Sequence, residues 1–273
     1  MAFHLEDINL IKSPLIVPSP SQQYRWEPSP RRVRAMFGGE TIADSTHVML
    51  LLEVAHLPVY YFPWANVQGH LLERTDYTTE SPLKGTASYW TVRVGDRVAE
   101  NAAWSYETPL PDGPDLSGYV ALYWTEMDTW YEEDERAFAH ARDPYKLVDI
   151  RQSTRHVRIE LEGETLAETH RPKLLFETGM PVRYYIPRED VRMNLLEPGE
   201  THSQCAYKGE ASYYSARIGE RFLGNVAWYY PEPLALVAPI ANLIAFFQER
   251  VDAVFVDDEQ VERPQTQWAR ERQ

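Results

Sequence analysis

The chain has 273 residues, 44% of them apolar, which is enough for the folded core of one large domain or two ordinary ones. Its 27 Lys and Arg against 41 Asp and Glu give a formal net charge of −14, which disfavours nucleic-acid binding because a phosphate backbone would be repelled. The single cysteine excludes an internal disulfide framework and a zinc site built on several thiolates, and no apolar run reaches the length of a membrane span. We therefore expect a cytoplasmic protein with no metal, cofactor, nucleic-acid or membrane partner.

The chain contains one sequence unit twice. Residues 33–110 align with residues 157–234 without a gap, and more than a third of the aligned positions are identical. The identities cluster in three motifs, Tyr-Tyr-x-Pro, Lys-Gly-x-Ala-Ser-Tyr and Asn-x-Ala-Trp-x-Tyr-x-x-Pro, each present in both copies. In chain order we predict an extended, proline-containing N-terminal extension at 1–23, a first repeat domain at 24–134, a linker at 135–156, a second repeat domain at 157–262 and a polar tail at 263–273.

The local patterns within each copy predict mostly strands. Two runs that flank a Gly-Gly turn, 33–37 and 41–44, predict a hairpin. A second hairpin is predicted where alternating apolar residues flank a Gly-Asp turn. Its strands, and those predicted from β-branched and aromatic runs, cover residues 47–53, 59–63, 87–94, 97–106, 119–124 and 129–132.

Helices are predicted only where a suitable pattern begins just after a proline, at 64–73 and 188–197. The linker is predicted to form a connecting helix or strap. About seven or eight short strands per copy, with few short helices, are typical of a mainly β fold. The expected architecture is therefore two tandem, pseudo-equivalent small β domains, each a barrel or a sandwich.

Two polar pairs recur in both copies. Lys84 and Lys208 each stand directly before a glycine at the entrance to a strand, and a glycine there permits a backbone conformation that aims the lysine inward. Glu53 and Glu177 each end an apolar run, and a buried carboxylate needs a partner. The lysines are the candidate partners. The pairs would either line a cavity, where they orient a polar ligand or move a proton, or serve as structural ion pairs.

Aromatic residues make up 12% of the chain, and many of them fall at duplicated positions. Most are expected in the core, and adjacent tyrosines in a strand must point to opposite faces, so that only one of each pair can face a given pocket. Two duplicated asparagines precede an Ala-Trp pair and would be either ligand contacts or the satisfied amides of a bulge or turn. The candidate ligand-binding residues are Glu53, Tyr61, Lys84, Tyr89, Asn101 and Trp104 in the first copy, and Tyr185, Tyr213, Asn225 and Trp228 in the second.

The copies differ at Cys205, which lies three residues before Lys208 and has Ser81 as its counterpart. A nearby Lys208 or His202 would favour a thiolate and therefore nucleophilic reactivity. Single buried cysteines are otherwise usually inert. The candidate catalytic set is Cys205, Lys208 and Glu177.

At the three shared motifs the chain resembles, in tandem, the bacterial domain-of-unknown-function 427 family, which is also catalogued under a nucleotidyltransferase name. The carboxylate pair that two-metal nucleotidyl transfer requires is missing from the sequence. The resemblance implies a compact, mainly β domain of the β-tent kind, with a cavity between its sheets. The family pattern Thr-x-Cys-Pro-x-Lys-Gly is incomplete in both copies: the second has Ala206 for the proline, and the first has Ser81 for the cysteine.

Three functions are compatible with these observations. The leading hypothesis is a small-molecule cavity in each repeat, in which a lysine neutralises an anionic or amphipathic ligand and aromatic residues form the walls. The first alternative is an enzyme that acts on a small metabolite through Cys205 or the Lys–Glu pair. The second is a non-catalytic interaction platform whose acidic surface meets basic partners. The motifs do not specify an oligomeric state.

Overall fold

The computed structural model describes residues 23–271, which form twenty-two strands in two similar halves. The first half contains β1 (Tyr24–Pro28), β2 (Val33–Phe37), β3 (Glu40–Ser45), β4 (Met49–Glu53), β5 (Val59–Pro63), β6 (Leu72–Ser81), β7 (Gly85–Val94), β8 (Arg97–Ser105), β9 (Tyr119–Leu122), β10 (Thr129–Glu132) and β11 (Glu135–Ala137). The second half contains β12 (Val148–Gln152), β13 (Val157–Leu161), β14 (Glu164–Thr169), β15 (Lys173–Glu177), β16 (Arg183–Ile186), β17 (Leu196–Cys205), β18 (Gly209–Ile218), β19 (Arg221–Tyr229), β20 (Ile244–Phe246), β21 (Ala253–Val256) and β22 (Glu259–Gln260). The predicted N-terminal extension, except residue 23, lies outside the described residues.

Each half consists of one seven-stranded and one four-stranded antiparallel sheet. The large sheets have the orders β1-β4-β5-β9-β8-β7-β6 and β12-β15-β16-β20-β19-β18-β17, and the small sheets have the orders β11-β10-β2-β3 and β14-β13-β21-β22. All four sheets are open, so the fold is a pair of sandwiches and not of closed barrels. The predicted mainly β architecture of two equivalent halves is confirmed.

The seven-stranded sheet is apolar on both faces. In the first half, Tyr60 belongs to the core cluster that fills the space between the two sheets, with Val33, Phe62 and Trp130. The next residue, Tyr61, belongs to a second cluster on the opposite face of the large sheet. The adjacent tyrosines therefore point to opposite faces, as the alternation of a strand requires. The second half repeats this division.

The two predicted helices do not form. Each segment contains two short 3-10 turns instead, and the long strand β6 or β17 begins directly after the second turn. The turns lie at Trp64–Asn66 and Gly69–Leu71 in the first half, and at Arg188–Asp190 and Met193–Leu195 in the second. The backbone of each segment forms a hydrogen bond to a strand of the small sheet. Gln68 N–H donates to the Ile42 carbonyl at 2.9 Å, and Arg192 N–H donates to the Leu166 carbonyl at 2.8 Å. Contacts with a neighbouring strand thus prevail over a weak local helical pattern.

The linker contains no helix within residues 135–156. Its first residues form β11, which pairs with β10, and its last residues include β12, which pairs with β15. Between these strands residues 138–147 follow an irregular path, which we call the strap. In the part of the chain that the structure covers, no helix combines the length and apolar character that crossing a membrane would require.

Candidate functional site

The duplicated Lys–Glu pairs define the same place in both halves. Glu177 ends β15 and Lys208 lies in the turn before β18, with the ammonium Nζ 2.5 Å from the carboxylate Oε2. Three strands separate β15 from β18 in the sheet, so a flat sheet would hold them about 19 Å apart. The sheet must therefore curve. The pair lies on its concave face, as does the pair of Lys84 with Glu53 at 2.5 Å.

This location corrects the expectation of a cavity between the sheets. The space between the large and small sheets is filled by the apolar core clusters, to which residues such as Ile159, Ile186 and Phe246 belong. The residues around the Lys208–Glu177 pair, including Tyr185 and Trp228, belong to the cluster on the other face of the large sheet. The site therefore lies on the outer, concave face of the seven-stranded sheet.

A glycine directs each lysine inward. Gly85 has a φ of 90° and Gly209 a φ of 93°, a region that residues with a Cβ rarely adopt. The backbone therefore turns sharply after the lysine, and the Lys208 side chain is only 10% exposed. Leu234 N–H donates to the Lys208 carbonyl at 3.1 Å and holds the turn in place. Both glycines thus have the positive φ that the sequence analysis anticipated, and the Lys84 side chain is likewise only 12% exposed.

The strap supplies a second lysine to the carboxylate of the second half. Lys146 Nζ lies 2.9 Å from Glu177 Oε1, so that each carboxylate oxygen faces one ammonium group. Burial raises the pKa of Glu177, but Lys208 and Lys146 together outweigh it and hold that pKa below its ordinary value. Sequence reasoning missed Lys146 because the strap lies outside the aligned copies.

A pocket of about 420 Å³ surrounds this group in the second half. All of the second-half candidates except Asn225 line it together: Glu177, Tyr185, Cys205, Lys208, Tyr213 and Trp228. The lining also includes residues that the sequence did not indicate, from the strap, the strands and the C-terminal tail: His140, Lys146, Arg183, Tyr207, Phe247 and Trp268. We call this the second-half pocket.

Tyrosine and tryptophan rings form its wall. Trp228 Nε1–H donates to the Tyr185 hydroxyl at 3.2 Å, and Trp104 makes the same bond to Tyr61 at 3.3 Å in the first half. Burial raises the pKa of the Tyr185 hydroxyl far above its ordinary value, so this group stays neutral. Tyr213 exchanges a hydrogen bond of 2.6 Å with Ser203. The wall is therefore largely apolar, and the hydroxyl groups of Tyr185 and Tyr213 already have partners.

The two asparagines are bulge residues. Asn101 and Asn225 have φ values of 52° and 50°, at the point where the register of the β7–β8 and β18–β19 hairpins shifts. Asn225 N–H donates to Ser215 Oγ at 3.1 Å and its side-chain amide to Thr201 Oγ1 at 3.1 Å. Thr75 Oγ1 donates to the Asn101 amide oxygen at 2.7 Å. Their observed contacts are those of satisfied bulge amides.

Cys205 is the last residue of β17 and a half-buried free thiol. It lines the second-half pocket together with Lys208. His202, the other predicted activating group, is exposed and lies 3.3 Å from Ser212 Oγ through its Nδ1. Of the two groups predicted to activate the thiol, the structure therefore places only Lys208 with it in the pocket.

Arg183 adds a buried ion pair that the first half does not share, because its counterpart there is Val59. The guanidinium donates to both oxygens of Glu249, at 2.6 and 2.9 Å, and to Gln248 Oε1 at 2.9 Å. The Glu249 side chain is fully buried and accepts a further bond of 2.6 Å from Thr266 in the C-terminal tail. Burial raises the pKa of Glu249, but Arg183 and Thr266 lower it below its ordinary value.

The concave face of the first half is packed differently. Tyr61, Tyr89 and Trp104, which the sequence predicted as ligand-binding residues, lie there in one apolar cluster. Trp26 adds a ring that lies edge-on to both Tyr61 and Tyr119, with 5.4 Å between ring centroids in each case. The counterpart of Trp26 in the second half is Ile150. A larger side chain therefore packs against the buried tyrosine in the first half.

The fold and site thus define a tandem pair of open β sandwiches, each with a lysine–glutamate pair on the concave face of its large sheet. The chain belongs to the family described as a domain of unknown function, DUF427, whose model matches residues 25–133 and 149–257. The two matches confirm the tandem resemblance drawn from the motifs. No curated protein matches the chain.

Proposed function

We propose that the second-half pocket binds a small organic anion that carries an apolar body. The observation that supports this proposal is the charge of the lining: among the described residues, Lys146 and Lys208 share the single carboxylate of Glu177, while Arg183 is paired with Glu249 behind the wall. This excess of cations occurs in a chain whose formal net charge is −14. A local field of opposite sign to the whole molecule is what recognition of an anion requires.

The lysines retain donors for a ligand. An ammonium group carries three N–H donors, and the carboxylate of Glu177 takes one from Lys146 and one from Lys208. The remaining donors would bind the oxygens of the ligand in charge-assisted hydrogen bonds, which are strong in a partly desolvated site. Tyr213, Trp228 and Phe247 would cover the apolar body of the ligand.

By the duplication we extend the proposal to the first half, as the weaker of two sites. Lys84 and Glu53 form the same ion pair there, with Tyr61, Tyr89 and Trp104 on the same face. The pair of Lys84 with Glu53 is balanced in charge, whereas Lys146 adds a second ammonium group to the single carboxylate of Glu177 in the second half. We therefore expect an anion to prefer the second half.

The test exploits the duplication. Binding of 2-naphthoate and of octanoate is measured by titration calorimetry for the unmodified chain, for Lys208→Met and for the matched variant Lys84→Met. Loss of one charge-assisted hydrogen bond at Lys208 should weaken binding to the stronger site by about 10- to 100-fold. Lys84→Met should change the affinity of that stronger site by no more than about twofold. Equal effects of the two substitutions, or no binding of either carboxylate, would contradict the proposal.

Cys205 supports a second candidate function, an enzyme that uses the same pocket, because its thiol shares the lining with the Lys208 ammonium group. A thiolate stabilised by that charge would react with iodoacetamide at neutral pH faster than glutathione does, and Lys208→Met would slow the reaction. Labelling at the rate of a free thiol would argue against catalysis by this residue.

A further inference from the structure

Among the lysine, arginine and acidic side chains that the structure describes around the second-half pocket, one positive charge has no carboxylate partner of its own. Lys146 and Lys208 share the single carboxylate of Glu177. Arg183, by contrast, is neutralised within the protein by the fully buried Glu249, with hydrogen bonds at 2.6 and 2.9 Å. His140 also lines the pocket, and its Nδ1 lies 2.7 Å from the Ala141 carbonyl oxygen, so that this nitrogen is engaged by the backbone. The lining therefore matches one anionic group.

The C-terminal tail completes the aromatic wall. Thr266 Oγ1 donates to Glu249 Oε1 at 2.6 Å, and Arg263 donates to the carbonyls of Val251 and Asp252 at 2.9 and 3.0 Å. These contacts bring the Trp268 ring to 6.3 Å from the Phe247 ring, measured between centroids. The tail thus contributes an indole to a wall that the strands alone leave incomplete.

Arg183 links this indole to the wall of the large sheet. Its guanidinium carbon lies 5.5 Å from the ring centroid of Trp228 and 5.5 Å from that of Trp268. Three of its N–H groups already donate to Glu249 and Gln248. The arginine therefore serves to hold two indole rings in place and has little remaining capacity for an anion of its own.

Resting on the proposed function, we infer that the second-half pocket selects a flat aromatic monoanion, and that Trp268 is the residue that sets this preference. The carboxylate of the ligand would meet the two lysines, and its ring would contact the rings of Trp228, Phe247 and Trp268, which attract another aromatic ring beyond the effect of buried area. A second carboxylate on the ligand would lose its hydration without gaining a free cation, and would therefore be rejected.

The experiment compares three carboxylates by titration calorimetry: 2-naphthoate, octanoate and naphthalene-2,6-dicarboxylate. The unmodified chain should bind 2-naphthoate about tenfold more tightly than either of the others. Trp268→Leu keeps an apolar side chain but removes the ring. It should lower the affinity for 2-naphthoate about fivefold or more and change the affinity for octanoate by no more than about twofold. The matched control is Trp26→Leu in the first half, which should leave the stronger site unchanged.

A second variant tests the placement of the ring without altering it. Thr266→Val removes the hydrogen bond to Glu249 at nearly constant volume, and should reduce the preference for 2-naphthoate over octanoate in the same direction as Trp268→Leu. Circular dichroism of each variant verifies that the sheets are retained.

The outcomes separate this inference from the proposed function. If octanoate or the dicarboxylate binds as tightly as 2-naphthoate, or if Trp268→Leu lowers all affinities equally, the inference is wrong while anion binding stands, provided that Lys208→Met still weakens it. If none of the three carboxylates binds, the proposed function itself fails.

Discussion

Glu177 links the candidate site to the pH dependence of stability. Its carboxylate lies 2.5 Å from Lys208 and 2.9 Å from Lys146, and its pKa in the folded chain lies below the ordinary value. A carboxyl group whose pKa is depressed by folding stabilises the fold fully above its unfolded pKa, which is about 4.3 for glutamate. That stabilisation is lost as the pH falls through the lower pKa of the folded state.

We therefore predict that Glu177→Gln lowers the free energy of unfolding by about 2–4 kcal/mol at pH 7, because the buried ammonium group of Lys208 and the half-buried one of Lys146 lose their partner. The difference from the unmodified chain should shrink as the pH falls below about 4, where the native carboxyl also becomes neutral. Urea unfolding of both proteins at pH 7 and below about pH 4 measures the stability difference in each range.

The control for this prediction is Glu73→Gln, which removes an exposed partner of Arg93 and should change stability little. A difference for Glu177→Gln that is as large in acid as at neutral pH would show that the ion pairs are not its cause.

The candidate site was predictable at the residues that the two copies share, and not elsewhere. Duplication singles out Lys208 and Glu177, and the structure brings them together in a pocket with Tyr185 and Trp228. Arg183 could have been noticed as a charged residue in a run where the first copy has valine. The positions of the strap and of Trp268 depend on contacts between residues far apart in the sequence, for which no local pattern gives a signal.

Turn chemistry decided how well the elements were predicted. The β7–β8 hairpin follows from the Gly-Asp turn between alternating strands, and the structure places Gly95 at a φ of 56°. The segments at 64–73 and 188–197 have a proline start and apolar spacing, but their turns pack against the small sheet and lead into β6 and β17. Polar strands such as β6, which is largely exposed, carry no alternation that would reveal them.

The turn before β18 depends on a glycine, and this dependence can be tested by substitution. Gly209→Ala should lower the free energy of unfolding by about 1–2 kcal/mol, because a Cβ is unfavourable at its φ of 93°. Gly85→Ala, at 90°, should behave alike. The control is Gly69→Ala, where an added Cβ meets no atom within 4 Å. Equal stability of the Gly209 and Gly69 variants in urea unfolding would refute the role of the turn.

At the scale of the whole molecule, each half has its own core. The clusters of buried residues between the sheets each draw on one half only, apart from Ala141 of the strap, which joins the cluster of the first half. Contacts across the halves include the strap, where the Tyr145 hydroxyl donates to Glu27 at 2.9 Å and the Arg25 guanidinium lies 4.2 Å from the Tyr145 ring centroid. We therefore expect the halves to respond separately to changes in their cores.

Val33 and Val157 offer a matched pair for this expectation, since both are fully buried at equivalent positions. Val33→Ala or Val157→Ala should each lower the stability of its own half by about 1–3 kcal/mol through the cavity it leaves. Hydrogen exchange should then speed up in the strands of the substituted half and stay unchanged in the other. Faster exchange throughout both halves would indicate a single cooperative unit.

The strap and the tail have a consequence for how this chain can be divided. The second match to the family begins at residue 149 and ends at residue 257, whereas Lys146 precedes that stretch and Trp268 follows it. A recombinant fragment trimmed to the limits of the homology would lack one of the three cations and one of the indoles of its own pocket. The duplicated segment is therefore shorter than the segment of the chain that is needed to form the complete pocket in a binding assay.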